Sequence, residues 1–435
     1  MQCLRIQGGR PLAGSVAVSG AKNAALPIMA ASILASGPVR LENVPRLVDV
    51  DTQALVLRHL GLSVERTADE ALLIETIDES PTRADYELVR RMRASFCVLG
   101  PLLARRGRAV VSLPGGCNIG TRPVDVHLRG LAALGASVRI EHGYVIAEAE
   151  RLRGAEIDLH GPCGPTVTGT ANILCAATAA QGATTIHGAA CEPEIVDLGQ
   201  FLIALGAEIT GLGTSTIRVV GPSTLGGTSH LGGASWRIIP DRIEAATLLT
   251  AAAITRSQAT VTQVVPAHLA AVLEVLAQCG VELRVAADSV TAIATGRPRC
   301  CDVTAAPYPG VPTDVQAQLT ALLALADGPS RVRDSVFPDR FMHVAELNRL
   351  GASLHRQGGE VAIRGVAHFS GATVMASDLR ASAALVLAGL AARGETIVRR
   401  IYHLDRGYAQ LDAKLRQLGA SIERVADEQE LTLPG

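Results

Sequence analysis

One short phrase recurs six times along the chain and restricts the folds open to it. In each copy a glycine follows a helix-period apolar pattern, and an alternating, strand-like pattern follows the glycine. The period, 68 to 74 residues, is longer than that of solenoids or propellers and indicates duplicated compact units rather than an open array. The six glycines are Gly61, Gly135, Gly206, Gly280, Gly351 and Gly419.

A second element fits between successive copies, an Ala- and Leu-rich helix followed by a β-branched strand. The clearest examples are helix patterns over residues 243–256 and 380–393, with strand patterns over 259–265 and 395–401. Helices this apolar are buried on most sides. We therefore predict six α/β units, each with two helices and at least two strands, with the helices inside and the sheets outside.

Length and composition bound the organisation of the chain. A chain of 435 residues is too long for one ordinary core, so the six units divide into two domains of three. We predict one domain from residues 1–21 with 232–435, and a second from residues 22–231, which carries the loop around Cys117.

A net charge of -1 and 3% aromatic residues argue against a nucleic-acid or membrane partner. The longest apolar run, residues 381–392, is shorter than the ~20 residues of a membrane span, so a soluble, cytoplasmic protein with reduced thiols is expected.

Cys117 lies in a glycine-rich loop, with Arg122 five residues further on. Free cysteines usually pack as small apolar residues, but a nearby guanidinium lowers a thiol pKa and binds anions. Cys97 and Cys175 lie in apolar helical patterns and are expected to pack. The remaining cysteines show no CxxC spacing, so neither a disulfide framework nor a metal site is predicted, and no cofactor is required: Cys3, Cys163, Cys191, Cys279, Cys300 and Cys301.

Several charged residues stand at the starts of predicted helices. Lys22 and Asn23 precede the first apolar helix, where backbone amides favour an anion, although a solvated lysine is the alternative. Asp314 is either the N-cap or a first-turn acid of the helix that carries Gln316 and Gln318, or a general base for a substrate hydroxyl. Glu192 and Glu194 are either helix-start acids or substrate-facing carboxylates. Arginines at three similar junctions bind anions or pair with adjacent aspartates: Arg93, Arg380 and Arg406.

In this order, from Gly9 to about Arg424, these motifs resemble the UDP-N-acetylglucosamine enolpyruvyl transferase family. The resemblance implies a two-domain, inside-out α/β barrel of the enolpyruvyl transferase type. The pair of barrels is built from six related units. It also implies transfer of the enolpyruvyl group of phosphoenolpyruvate to the 3'-hydroxyl of UDP-N-acetylglucosamine with release of phosphate, the first committed step of peptidoglycan synthesis. It is carried by Ser-Gly-Ala-Lys-Asn-Ala-Ala-Leu-Pro, Pro-Gly-Gly-Cys, Glu-Pro-Glu-Ile-Val-Asp, Pro-Asp-Arg-Ile-Glu, Pro-Thr-Asp-x-Gln-Ala-Gln, Arg-Phe-Met-His and Asp-Arg-Gly-Tyr.

The resemblance also assigns residue roles. Lys22, Arg122 and Arg406 would clamp phosphoenolpyruvate with Arg93 nearby. Cys117 would be the reactive thiol, alkylated by fosfomycin, and Asp314 would accept the hydroxyl proton. Binding of the nucleotide sugar would close the domains over the site. The remaining implied substrate-binding residues are Asn23 and Arg340 at the acceptor, Pro123, Val124, Asp125 and Val126 at the uracil, Thr166, Val167 and Thr168 at the ribose and diphosphate, and Val336, Glu192 and Asp378.

One segment departs from the family pattern and leaves the acceptor open. Thr168 stands where the family usually has glycine, and Gly164 leaves no side chain where some members place a lysine. Another uridine nucleotide such as UMP is therefore an alternative acceptor, and a non-catalytic nucleotide-sugar-binding paralogue is a third reading. The related transferase acting on shikimate 3-phosphate fits poorly, because its signature motifs are absent.

Overall fold

The computed structural model describes residues 2–115, 124–221 and 231–427 and confirms the sixfold repeat. All six repeat glycines have positive φ, between 83° at Gly61 and 115° at Gly206. Each directly follows the last turn of a helix, so the chain reverses there in a conformation that other residues adopt only with strain. The helices that end at these glycines are Val48–His59, Asp125–Ala133, Pro193–Leu205, Ala270–Gln278, His343–Arg349 and Leu411–Gln417.

Six four-stranded sheets repeat one topology. In each, an edge strand runs parallel to the second strand, and the second, third and fourth pair antiparallel. In sheet order the strands are Ala234–Arg237, Val39–Glu42, Leu72–Thr76, Leu62–Arg66; Arg83–Ala84, Arg108–Ser112, Tyr144–Glu148, Ser137–Glu141; Glu156–Asp158, Ala183–His187, Thr216–Val220, Glu208–Thr210; Ser15–Ala17, Gln258–Thr262, Ser289–Ile293, Glu282–Val285; Val303–Ala305, Pro329–Asp334, Glu360–Arg364, Ser353–Gln357; and Thr373–Met375, Glu395–Arg399, Gln2–Gln7, Ser421–Ala426. His160–Gly161 and Gly164–Pro165 form a short hairpin.

The apolar helices of the second repeated element form the cores. Every residue of Arg242–Ile254 is buried, as are nearly all of Leu379–Ala391, and both pack on Gln316–Leu323. The predicted order, an apolar helix then a strand, is confirmed by Arg242–Ile254 before Gln258–Thr262 and Leu379–Ala391 before Glu395–Arg399. The other α-helices are Lys22–Ala31, Tyr86–Val89, Leu99–Arg106 and Val167–Ala177. The α/β class with helices inside the sheets is confirmed.

The chain divides into two compact units, each with three of the sheets. Of the described residues, unit 1 holds 2–19 and 240–427, and unit 2 holds 20–115, 124–221 and 231–239. The second division falls later than the predicted 231/232, because the strand Ala234–Arg237 pairs with Val39–Glu42 inside unit 2. Across the described ranges, no helix combines the length and apolarity needed to cross a membrane.

Candidate active site

In unit 2, Lys22 is the first residue of the helix Lys22–Ala31, as predicted. Its Nζ lies 3.3 Å from Oδ2 of Asp49, whose side chain is only 4% exposed. Asn23 is half-buried beside it. A buried carboxylate thus holds an ammonium group at a helix N-terminus, where backbone amides also favour an anion.

Two further predicted residues of unit 2 stand at helix starts. Arg93 begins the 3-10 helix Arg93–Val98 and is half-buried. Its charge acts on Cys97, whose pKa burial nevertheless raises to about 12. Glu192 occupies the N-cap position of the helix Pro193–Leu205, and its side chain makes no capping hydrogen bond.

The segment expected to contact the nucleotide tail lies at another helix start in unit 2. Thr166 caps the helix Val167–Ala177, with its Oγ1 accepting a hydrogen bond from Gly169 N at 3.2 Å. The Thr168 hydroxyl lies 3.3 Å from Nε2 of the buried His127, and Nδ1 of that ring lies 3.0 Å from Nδ2 of Asn172. Thr168 therefore belongs to a polar network rather than projecting alone.

Of the remaining predicted residues around the Cys117 loop, the structure describes three. Val124 is the N-cap of the helix Asp125–Ala133, in which Asp125 is exposed and Val126 is buried. Cys117, Arg122 and Pro123 lie outside the described residues.

In unit 1, Asp314 receives a guanidinium on each carboxylate oxygen. Arg340 Nη1 donates to Oδ1 at 2.7 Å, and Arg380 Nη2 donates to Oδ2 at 2.8 Å. The two arginine side chains are 9% and 3% exposed, whereas that of Asp314 is 22% exposed. Opposite charges at this distance favour the ionised carboxylate, which is the form that accepts a proton.

Asp314 is not an N-cap, but it is an acid in the first turn of a helix. It lies inside the 3-10 helix Thr313–Val315, whose N-cap is Pro312, and the following helix Gln316–Leu323 has Val315 at its N-cap. The carboxylate thus stands at a helix start and also binds two side-chain cations.

Gln318 fixes the backbone behind this carboxylate. Its Nε2 lies 3.0 Å from the Asp314 carbonyl oxygen, from Thr247 Oγ1 and from the Tyr408 hydroxyl. The Tyr408 ring in turn lies against the guanidinium of Arg380, 5.3 Å from its centroid. Burial alone would lower the pKa of Arg380, but Asp314, Tyr408 and Asp241 together raise it, so the cation persists although it is buried.

The alternative that pairs Arg380 with the adjacent Asp378 is wrong, because Arg380 pairs with Asp314. Asp378 instead caps the helix Leu379–Ala391, accepting from the backbone N of Arg380 at 2.9 Å and of Ala381 at 3.1 Å. Both Asp405 oxygens accept hydrogen bonds from Arg424, at 2.8 and 2.9 Å. Local sequence order therefore does not identify the ion-pair partner.

The pKa values of two histidines, His343 and His403, are shifted by burial and by the charged residues near Asp378. Burial lowers the pKa of His343 to about 4, with Asp378 opposing and Arg340 adding to the shift. Burial also lowers the pKa of His403, and the neighbouring Arg406 lowers it further. Neutral imidazoles in these positions keep Arg340 and Arg406 as the local cations.

Val336 is positioned by the chain around it. Asp334 Oδ1 accepts from the backbone N of Val336 at 2.9 Å and of Phe337 at 2.8 Å, while its Oδ2 accepts from the Thr313 hydroxyl at 2.6 Å. The buried Asp334 thus ties Val336 to the turn that carries Asp314.

Sequence reasoning missed three contributors. Arg380 was identified only as a junction cation, and Gln318 only as a neighbour of Asp314. Asp49 is one acid among two in the first turn of its helix, and nothing in its spacing predicts a contact with Lys22. A pattern of buried polar residues inside an otherwise apolar helix is the one signal that could have found Gln318.

The repeated sheets and internal helices resemble those of known proteins. The family model of EPSP synthase (3-phosphoshikimate 1-carboxyvinyltransferase) matches residues 6–430, and the chain belongs to this family.

More specific relatives are proteins named UDP-N-acetylglucosamine 1-carboxyvinyltransferase. The Akkermansia muciniphila protein is 49% identical, covering 98% of this chain and 100% of its own, and the Anaeromyxobacter sp. protein is 52% identical, covering 98% and 99%. The structure also resembles the enolpyruvyl transferase NikO from Streptomyces tendae, with a TM-score of 0.87 and 30% identity over 98% of this chain and 99% of that one. EPSP synthase from Acinetobacter baumannii shares the fold, with a TM-score of 0.71 and 19% identity over 98% and 100%.

Proposed function

We propose that the chain transfers the enolpyruvyl group of phosphoenolpyruvate to the 3'-hydroxyl of UDP-N-acetylglucosamine, releasing phosphate in the first committed step of peptidoglycan synthesis. One observation carries the proposal: the chain is 49% and 52% identical, over 98% of its length, to relatives named for this reaction. The ionised Asp314 carboxylate, held on Arg340 and Arg380, supplies a base of the required kind.

In this reaction Asp314 takes the proton of the 3'-hydroxyl while the hydroxyl oxygen bonds to C2 of phosphoenolpyruvate. Cys117 donates a proton to C3, which gives a tetrahedral phosphate-bearing intermediate. Loss of phosphate and of one C3 proton restores the carbon–carbon double bond. Lys22, Arg122 and Arg406 bind the phosphate and carboxylate charges of the donor, because cations stabilise the charge that develops on the leaving group.

The other substrate contacts follow the same assignment. Asn23 and Arg340 hold the sugar, Pro123 to Val126 approach the uracil, and Thr166 to Thr168 approach the ribose and diphosphate. Arg93, Glu192, Val336 and Asp378 complete the set. The Asp49 carboxylate positions the Lys22 ammonium.

We also propose that fosfomycin inactivates the protein by alkylating Cys117. A thiolate near Arg122 opens the epoxide and forms a thioether, whereas Cys97 and Cys175 are buried and their pKa values are raised by burial. Peptide mass spectrometry after drug treatment should find the adduct on Cys117. Adducts elsewhere, with Cys117 intact, would refute the assignment, and Cys117→Asp should resist the drug because a carboxyl forms no thioether.

UMP remains the second candidate acceptor, because Thr168 replaces the usual glycine. Its hydroxyl contacts His127 within unit 2, so the side chain is engaged by the protein itself. That contact favours the nucleotide sugar, since it holds the Thr168 side chain within unit 2, while the neighbouring Gly169 amide already donates to Thr166.

Phosphate release from phosphoenolpyruvate, measured with UDP-N-acetylglucosamine, UMP and shikimate 3-phosphate in parallel, tests the proposal. We expect robust release with the nucleotide sugar and background release with the other two, while a reaction without acceptor controls for contaminating phosphatase. Release with UMP alone would overturn the acceptor, and no release with any acceptor would support the non-catalytic paralogue.

A further inference from the structure

Three cysteines of unit 1, none of them assigned to the reaction, are Cys279, Cys300 and Cys301. Cys279 directly follows the helix Ala270–Gln278, and Cys300 and Cys301 precede the strand Val303–Ala305. The Sγ atoms of Cys279 and Cys301 are 3.6 Å apart, within S–H···S hydrogen-bond distance. The backbone fixes both residues, because Arg299 N donates to the Cys279 carbonyl oxygen at 2.9 Å and Cys301 N donates to Ser330 Oγ at 3.2 Å.

Cys300 is directed elsewhere, although it is the more exposed of the two adjacent cysteines. Its backbone N donates to Asp327 Oδ1 at 2.9 Å. Its Sγ lies over Gly328, where an added Cβ would come within 2.9 Å of the sulfur. The geometry therefore pairs Cys279 with Cys301 and not with Cys300.

The two paired thiols differ in reactivity. Cys301 is partly exposed, and its hydrogen bond with Cys279 lowers its pKa, with burial acting against the shift. Cys279 is 2% exposed, and the same hydrogen bond together with burial raises its pKa. Because the thiolate is the nucleophile, Cys301 is the attacking sulfur and Cys279 the resolving one.

We propose that Cys279 and Cys301 form an oxidisable dithiol that closes to an intramolecular disulfide on reaction with a small disulfide oxidant such as oxidised glutathione. The Cys301 thiolate bonds to one glutathione sulfur, the glutathione disulfide breaks, and one glutathione thiolate leaves. Cys279 then loses its proton to solvent, bonds to the Cys301 sulfur and expels the second glutathione thiolate. The protein gives up two electrons, which reduce the oxidant to two glutathione molecules, and side-chain rotation brings the sulfurs to the ~2.05 Å of a bond.

Tryptic mapping of the full chain after treatment with oxidised glutathione tests the site. Cleavage after Arg256, Arg284, Arg299 and Arg331 places Cys279 in peptide 257–284 and both Cys300 and Cys301 in peptide 300–331. We expect these peptides to be joined, two hydrogens lighter than their sum, and to separate with dithiothreitol. Cys117 falls in peptide 109–129, so its own modification is read separately.

Variants distinguish the pair from its neighbour. Cys300→Ser should keep the cross-link, whereas Cys279→Ser should leave a stable glutathione adduct on the peptide containing Cys301. The oxidised wild type should melt roughly 5 °C higher than the reduced protein, because a cross-link over 22 residues constrains the unfolded chain, and Cys279→Ser should lose this shift. Two results would overturn the proposal. One is a glutathione adduct that persists on Cys301 in the wild type, and the other is loss of the cross-link in Cys300→Ser. Neither result bears on enolpyruvyl transfer.

Discussion

Among single residues, Asp314 offers the clearest test, because its replacement separates a catalytic role from a structural one. Asp314→Asn keeps the size of the side chain but cannot accept the hydroxyl proton. We expect kcat to fall at least ~100-fold while the KM for the acceptor stays within several-fold, because general-base catalysis contributes about 10²- to 10⁴-fold. Steady-state phosphate release over a range of acceptor concentrations measures both constants.

Asp339→Asn is the matched control, because this carboxylate also binds an arginine, Arg356 at 2.9 Å, but is 68% exposed. It should behave as the wild type, since exposed ion pairs contribute little. Near-normal kcat in Asp314→Asn, accompanied only by a lower melting temperature, would show that the two guanidinium contacts serve stability alone.

The same residues show what sequence could and could not supply. The sequence places Lys22 and Asn23 correctly at a helix start because the apolar pattern of a helix is local. Arg380, in contrast, pairs with Asp314, 66 residues earlier, and not with the adjacent Asp378. Periodicity identifies the apolar face of a helix, but it carries no information about which loops meet in the folded unit.

Among the helices and turns, the turn that carries Asp314 depends on the helix that follows it. Gln318→Leu removes the donor to the Asp314 carbonyl, to Thr247 and to Tyr408. We expect kcat to fall about tenfold with little change in either KM, because the loss of a buried donor costs about 1–3 kcal/mol and loosens the base rather than the substrate contacts.

Gln316→Leu is the control for this prediction. Gln316 is equally buried in the same helix, and its Nε2 bonds to Thr320 Oγ1 at 3.2 Å. It should lose thermal stability without a selective fall in kcat. Equal kinetic effects in the two variants would assign Gln318 to packing only.

The repeat glycines offer a test of the backbone itself. Gly206 has φ of 115°, and no heavy atom lies within 4 Å of an added Cβ. Gly206→Ala should therefore destabilise unit 2 by about 1 kcal/mol through strain alone. Gly296 is equally open but lacks the positive φ, so Gly296→Ala should be neutral or slightly stabilising. Thermal melting of the two variants checks the contrast, and equal effects would contradict it.

These glycines can be predicted because the end of a helix is determined by a few adjacent residues. The edge strands were not. Arg83–Ala84 is two residues long, too short to show an alternation, and Ala234–Arg237 pairs with Val39–Glu42 from the far end of its unit. The sequence therefore predicts at least two strands in each of the six repeats, whereas each repeated sheet of the structure has four.

Across the molecule as a whole, a buried carboxylate, that of Asp197, helps to hold the end of unit 2. Asp197 Oδ1 accepts from Trp236 Nε1 at 3.0 Å, and its Oδ2 accepts from Ile239 N at 3.3 Å. The Ile239 carbonyl oxygen in turn accepts from Ala21 N at 2.7 Å, directly before the helix that begins with Lys22. Asp197 thus links the last segment of unit 2 to the first.

This carboxylate makes the stability of unit 2 depend on pH. Burial raises the pKa of Asp197 to about 6, against the two hydrogen bonds that lower it, while the unfolded value is 3.8. Between these values the folded state binds the proton and the unfolded state does not, so the free energy of unfolding falls as pH rises from 4 to above 6. The lost stability is on the order of 2–3 kcal/mol at neutral pH.

Asp197→Asn removes this titration, although losing one acceptor adds a constant penalty. We therefore expect the melting temperature of the variant, relative to wild type, to rise between pH 4 and pH 7. Trp236 is the one tryptophan of the chain, so its fluorescence reports the unfolding of unit 2 directly. The exposed Asp51→Asn in the same unit should show no such trend. A difference between Asp197→Asn and wild type that stays constant with pH would mean that Asp197 is ionised throughout this range, and that its hydrogen bonds outweigh its burial.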